Sequence, residues 1–249
     1  MPNEFFNKKE PPPASHGSLF PLFEAPFEDA ADYAGAAICS LCGKSDPHCF
    51  DLGIGSDLMI SCPKCRAENG LEADDRKDTP CRMCKTLIPF PKLAGPIRTC
   101  PSCLRAGRAA ITKDSELGMI SWEQAIAGET HGRPGLKRRD FELVTRERGW
   151  IAAKVAQPMM FELLRTPGYL TIQGEQWQFC CQRPMIFLGA WSREDFNHRA
   201  PGEKGRELFD KIVQDSTDDL WNDEMGDETG IYVFRCPTCS RMTAHWDLA

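Results

Sequence analysis

Apolar positions along this chain come in short bursts, each cut within a few residues by proline, glycine or charge. The 19 prolines and 20 glycines among 249 residues leave little room for long helices. The opening is Pro-rich at Pro11-Pro12-Pro13, and up to about Lys113 the pattern reads as loop. Beyond it, Ser121-Trp122-Glu123-Gln124 is a capping box opening a short helix that Gly128 ends. Residues 137–148, with Phe141 and Val144 on one side, predict a second helix. Pro158 opens a third, carrying Met159, Met160, Phe161, Leu163 and Leu164 until Pro167-Gly168 stops it. Strands are expected at 169–173, 176–180 and 185–190, and around Ile231-Tyr232-Val233-Phe234. A longer helix over 203–223 places Leu208, Phe209, Ile212, Val213 and Leu220 at helical spacing. The expected class is α+β, organised as a flexible tail (1–30), a tandem two-site module (31–113) and an α/β body (114–249).

Cysteine changes this picture most. Ten of the 13 cysteines form five C-x-x-C pairs: Cys39/Cys42, Cys62/Cys65, Cys81/Cys84, Cys100/Cys103 and Cys236/Cys239. Two thiolates three residues apart on a tight turn can take adjacent corners of a metal tetrahedron, and a second pair supplies the rest. A disulfide framework needs an oxidising compartment, and a redox C-x-x-C of the thioredoxin type stands alone in a βαβ unit; neither setting is indicated. The expectation is two to three zinc ions, although iron suits the same spacing. The repeat of Cys62-Pro63-Lys64-Cys65 in Cys100-Pro101-Ser102-Cys103 favours two consecutive ribbons, Cys39/Cys42 with Cys62/Cys65 and Cys81/Cys84 with Cys100/Cys103. Interleaved pairing stays open, as do His48 and Cys49 as substitute ligands.

The last pair, Cys236/Cys239, sits between two strand-like runs and needs partners from elsewhere. Cys180, Cys181 and His245 are the candidates. Adjacent residues of a strand point to opposite faces, so both cysteines can ligate one metal only across a turn. The terminal zinc knuckle is then three cysteines and a histidine, or four cysteines, with Cys181 preferred over Cys180 and His245 the candidate histidine against a strand histidine satisfied by hydrogen bonds.

Arg165-Thr166-Pro167-Gly168-Tyr169, then Gln176-Trp177, Cys181, Phe187-Leu188-Gly189 and Tyr232-Val233-Phe234-Arg235-Cys236-Pro237-Thr238-Cys239 together resemble the CbrC family. The resemblance runs from about Cys39 to the C-terminus. It implies a bacterial cytosolic protein without enzymatic activity, related to colicin tolerance and to immunity proteins encoded beside antibacterial toxins, including nucleases delivered by type VI secretion. Four N-terminal pairs stand where that pattern has two, and Cys180 stands where it tends to have histidine.

Charge adds a surface. The whole chain carries −6, which argues against a generic nucleic-acid coat. Residues 210–228 hold eight acids and one lysine, −7 locally, while residues 76–113 hold nine basic groups and one acid, +8. The acidic run, with Asp215, Asp218, Asp219, Trp221, Asp223 and Glu224, is the expected surface for a basic partner, a nuclease toxin. The alternative is a zinc-ribbon regulator touching nucleic acid through Arg82, Lys85, Arg98, Arg105 and Arg108. No motif joins a nucleophile to its base, and no apolar run reaches the roughly 18 residues of a membrane span. A cytoplasmic, non-enzymatic binding protein is the expectation.

Overall fold

The computed structural model describes residues 19–52, 58–71, 77–89, 97–111, 113–116, 118–200, 204–215, 217, 219–224 and 229–248. Far from being loop, the first part is built of short antiparallel strands. Strands β1 (Tyr33–Ile38) and β2 (Ser45–Asp51) pair from Tyr33↔Phe50 to Ile38↔Ser45. Two hairpins follow, β3 (Leu58–Ser61) with β4 (Glu68–Leu71) and β5 (Thr79–Pro80) with β6 (Leu87–Ile88). The chain then returns as β7 (Arg98–Thr99) to the free side of β2, Phe50↔Thr99, and starts helix α1 (Pro101–Arg105). The two hairpins are thus an insertion in a three-stranded sheet ordered β1-β2-β7.

Residues 19–30, expected in a flexible tail, are core. Phe20, Phe23 and Phe27 are almost wholly buried. Phe20 and Phe27 meet Phe50 of β2 edge-on at 6.0 and 5.5 Å. Phe23 lies 5.3 Å from Phe187, whose N–H donates to Leu22 O (2.9 Å) while its carbonyl accepts from Glu24 N–H (2.9 Å). Phe20, Phe23 and Phe27 have helical spacing, but Pro21 and Pro26 interrupt a helix there, and their burial straps the N-terminal sheet to the body. The rest of the expected tail, 1–18, lies outside the described residues.

In the body, a small hairpin β8 (Asp114–Ser115) and β9 (Gly118–Met119) precedes helix α2 (Trp122–Ala127). Ser121 and Gln124 cap α2 reciprocally, and Gly128 closes it at φ 70. An added Cβ at Gly128 would lie 2.1 Å from Val155 O, so only glycine fits. Next come β10 (Arg133–Pro134), β11 (Leu143–Thr145) and β12 (Trp150–Ala153), with β12 central, then α3 (Gln157–Leu164). The helix expected over 137–148 is therefore an error. Val144 and Thr145 are β-branched and pair with Ala152 and Ile151, while Arg148 and Gly149, at φ 57 and 75, turn the chain between the strands.

Hairpin β13 (Phe179–Cys180) and β14 (Arg183–Pro184) leads into β15 (Ile186–Ala190), α4 (Arg193–Arg199) and α5 (Lys204–Ile212). Strands β16 (Thr229–Arg235) and β17 (Met242–Leu248) complete a sheet ordered β15-β16-β17. The strand expected at 169–173 is reduced to a single bridge, Ala30↔Tyr169, and that at 176–180 to β13. The long helix over 203–223 is shorter than expected: α5 ends at Ile212, Val213 bridges to Ala244, and Asp215 turns at φ 54. Leu220–Glu224 forms a separate turn of wide helix.

Central strand β16 separates two cores by its period of two. Tyr232 and Phe234 face a layer with Tyr169, Trp177 and Phe187, while Ile231 and Val233 face Trp191, Phe196, Phe209, Ile212 and Leu220. If the strap belongs to this core, Phe20→Ala should cost about 3–5 kcal/mol in denaturant unfolding, the usual range for a buried phenylalanine. A change within about 0.5 kcal/mol would return residues 19–30 to the surface.

Candidate metal centres

Four of the five C-x-x-C pairs fold into one turn, and its hydrogen bonds repeat almost to the decimal. The N–H of the first cysteine donates to the carbonyl five residues on: Cys39 to Lys44, Cys62 to Ala67, Cys81 to Thr86 and Cys236 to Arg241, each at 2.8 Å. The residue after the second cysteine donates back to the first cysteine's carbonyl, from Gly43 (2.8 Å), Arg66 (2.9 Å), Lys85 (3.0 Å) and Ser240 (3.0 Å). Those residues take φ of 72, 63, 62 and 58, the left-handed conformation that closes the turn. Cys100/Cys103 is different. Cys100 caps α1, Pro101 opens it, and Leu104 N–H donates to Cys100 O (3.1 Å).

The pairs assemble into three sets whose sulfurs lie within 4.8 Å of one another: Cys39, Cys42, Cys100 and Cys103; Cys62, Cys65, Cys81 and Cys84; Cys180, Cys181, Cys236 and Cys239. Consecutive pairing is thus overturned in favour of nesting. Pairing of β7 on β2 brings Cys100 back to the β1–β2 turn, where Cys100 N–H donates to Cys39 Sγ (3.3 Å) and Ser40 N–H to Arg98 O (2.8 Å). The inserted hairpins keep the middle set to themselves. Buried Asn69 braces it, accepting from Arg82 N–H (2.8 Å) and donating to Cys81 Sγ (3.7 Å).

In the terminal set Cys180 and Cys181 both take part. Cys180 pairs with Arg183, and Cys181 and Gln182, at φ 52 and 60, are the two central residues of a tight hairpin turn. This is the turn that adjacent cysteines need, and Asp140 holds it by accepting from Cys181 N–H (2.9 Å). His245, expected as a ligand, is instead half-buried among aromatic rings with its Nε2 2.8 Å from Tyr169 Oη. Desolvation drives its pKa down to about 4, so the ring is neutral, and its tautomer sets the direction of the bond to the tyrosine. Nor do His48 and Cys49 join a set: His48 Nδ1 faces Tyr33 Oη (3.0 Å), and Cys49 donates to Ala37 O (3.6 Å).

Sulfur separations are 4.0 Å for Cys42–Cys100, 3.6 Å for Cys62–Cys84, 3.5 Å for Cys65–Cys81 and 3.7 Å for Cys180–Cys239. A tetrahedron with metal–sulfur bonds of about 2.3 Å has edges of about 3.8 Å, so the sets fit an ion. They are far beyond the roughly 2.05 Å of a disulfide, and every cysteine is free. Each set also holds at least one thiol below its ordinary pKa, and the middle set holds two, Cys81 and Cys84, the latter lowered by hydrogen bonds with Thr86. Burial raises Cys39, but the amides of Cys100, Leu41 and Cys42 outweigh it and bring it down to about 7. Amides of Cys84 and Met83 lower Cys81 to about 6. Cys236 reaches about 7, the amides of Cys239 and Thr238 overcoming burial. Four thiolates and no other ligand make each a closed site, suited to holding structure.

The basic residues read as nucleic-acid contacts divide. Arg105 pairs with Glu162, and Arg108 donates to Leu41 O (3.1 Å) and lies 3.9 Å from Cys103 Sγ, so both are occupied inside the molecule. On the acidic run, Asp215 and Asp219 are exposed, and Asp218 lies outside the described residues. Asp223 and Glu224 belong to the Leu220–Glu224 turn. Trp221 is half-buried, 5.1 Å from Phe209, with Arg193 and Arg206 each 5.7 Å over its ring.

An α+β scaffold with three closed four-cysteine sets defines a candidate structural-metal protein. The model of the uncharacterised protein family UPF0167 matches residues 93–248, and the chain belongs to that family, of which CbrC is a member. The match contains Cys100, Cys103 and the whole terminal set, and leaves out Cys39, Cys42 and the middle set. No curated protein and no solved structure matches the chain.

Nesting gives a direct test by elemental analysis of purified variants. Cys62→Ser combined with Cys81→Ser should remove one metal equivalent, because both belong to the middle set; consecutive ribbons would lose two. Likewise Cys180→Ser should cost one equivalent and His245→Gln none. The reverse would restore the histidine as ligand.

Proposed function

We propose that this is a zinc-binding immunity protein of the CbrC type, which neutralises a cognate antibacterial toxin, a nuclease, by binding it in the cytoplasm. Zinc suits four thiolates in a closed tetrahedron, with no preference for redox change or an open position. Residues 58–71 and 77–89 carry only two short hairpins, too little to hold a fold by apolar burial alone. Metal binding of about 10–16 kcal/mol per structural site supplies the missing stability. The ions hold the fold, and the activity is occlusion without turnover.

The observation that carries the partner reading is the exposed acidic edge. Asp215 and Asp219 are exposed on the run that leads to half-buried Trp221, and Asp215 directly follows two residues tied to β17 by the Val213–Ala244 bridge and by Gln214 N–H donating to Ala244 O (3.1 Å). Acids on a fixed backbone present a steady field to a cationic phosphate-binding cleft, speeding encounter and rejecting acidic competitors. The resemblance to CbrC adds the toxin context. Among the described residues no helix is long and apolar enough to cross a membrane.

Co-expression with each toxin encoded beside the gene should rescue growth for one of them. Asp215→Lys with Asp219→Lys should slow association at least about tenfold at low salt, leave dissociation nearly unchanged and keep the full metal content. Failure to rescue from any neighbouring toxin, with no binding to it, would overturn the reading.

A further inference from the structure

The middle set differs from the other two in what surrounds it. Lys64 and Arg66 flank Cys65, Arg82 follows Cys81 and Lys85 follows Cys84, so four exposed cations each stand one residue from a thiolate of the same set. Met83 and Leu87, 68% and 57% exposed, sit on the same knuckle and hairpin. At the left-handed position that closes each turn, the outer set has Gly43, the residue least strained there, whereas the middle set has Arg66 and Lys85. The terminal set also closes its turn with a residue other than glycine, Ser240 at φ 58, but in the middle set both closing residues are cations.

At the outer set one guanidinium, Arg108, folds back to 3.9 Å from Cys103 Sγ. Lys85 instead donates to the carbonyl of Arg82 (3.2 Å), which holds its ammonium at the exposed tip.

We propose that this knuckle tip is a contact surface for the phosphate backbone of nucleic acid. Lys64, Arg66, Arg82 and Lys85 would meet successive phosphates, and Met83 would lie against sugar and base edges, as apolar wedges do in the minor groove. A membrane fits less well, since two apolar side chains without an aromatic anchor bury little in lipid. The proposal is independent of the toxin reading, which uses the acidic edge at Asp215 and Asp219.

The test is fluorescence anisotropy of the metal-loaded full chain with a labelled duplex and with a single strand of the same length. Four neutralised phosphates predict that duplex affinity falls about a hundredfold between about 50 and 200 mM salt, with a shallower slope for the single strand. Arg66→Gly and Lys85→Gly, which relieve the strained positions, combined with Lys64→Gln and Arg82→Gln, should weaken binding at least about tenfold with metal content unchanged. If that variant loses metal, Lys64→Gln with Arg82→Gln alone must still flatten the salt slope. No binding at the lower salt, equal binding by the variants, or binding to anionic vesicles but to neither oligonucleotide would each overturn the proposal. Toxin rescue is read separately, so its failure and the failure of this proposal are distinguishable.

Discussion

The rest of this structure is arranged around bringing four cysteine sulfurs within 4.8 Å of one another, three times over. Such a cluster is unfavourable without a cation, and the chain eases the assembly before any ion arrives. Main-chain N–H groups point at Cys39, Cys81 and Cys236 and favour their ionised form near neutral pH. The same turns that aim the sulfurs supply those amides, so a single backbone conformation provides both geometry and electrostatics. Strands of two residues, β5 and β6, lie directly beside the middle set.

The sites also explain how the fold is joined. The outer set ties the β1–β2 turn to α1, and the terminal set ties hairpin β13–β14 to the β16–β17 turn. Between them runs one continuous core, from Phe20 and Phe50 through Leu104 and Leu164 to Tyr169, Phe187 and Phe234. That continuity contradicts a boundary at residue 113, because the strap and the N-terminal sheet bury their apolar faces with the body's. Lys113 itself is fully buried, paired with Glu175 at 3.4 Å and set over the Trp177 ring. The middle set joins the same core through Cys62, Cys81 and Ile88, although the family match leaves it out.

The cysteine turns were legible because spacing and chemistry act within four residues. Their grouping was not, since it is decided by strand pairing between Phe50 and Thr99 across the whole insertion. The best sequence repeat misled: Cys-Pro-x-Cys at Cys62 and Cys100 looks alike but folds as a turn in one case and a helix start in the other. Cys180 was passed over because a strand was expected through 176–180, with adjacent cysteines on opposite faces, whereas Cys181 and Gln182 turn the chain at φ 52 and 60. His245 was an attractive ligand by type, yet on β17 it pairs opposite Tyr232 and is drawn into the aromatic core. Capping signals were local and held at Ser121, Gln124 and Gly128. Three-residue apolar spacing at Phe141 and Val144 was too little to outweigh β-branched pairing.

X-ray absorption at the edge of the bound metal tests the central claim most directly, because it counts ligand types without any variant. The account predicts an all-sulfur shell, four scatterers at about 2.3 Å for every ion in the chain. An imidazole contribution amounting to one nitrogen among the twelve ligands, or oxygen from an open position, would contradict the closed four-thiolate sites on which the structure rests.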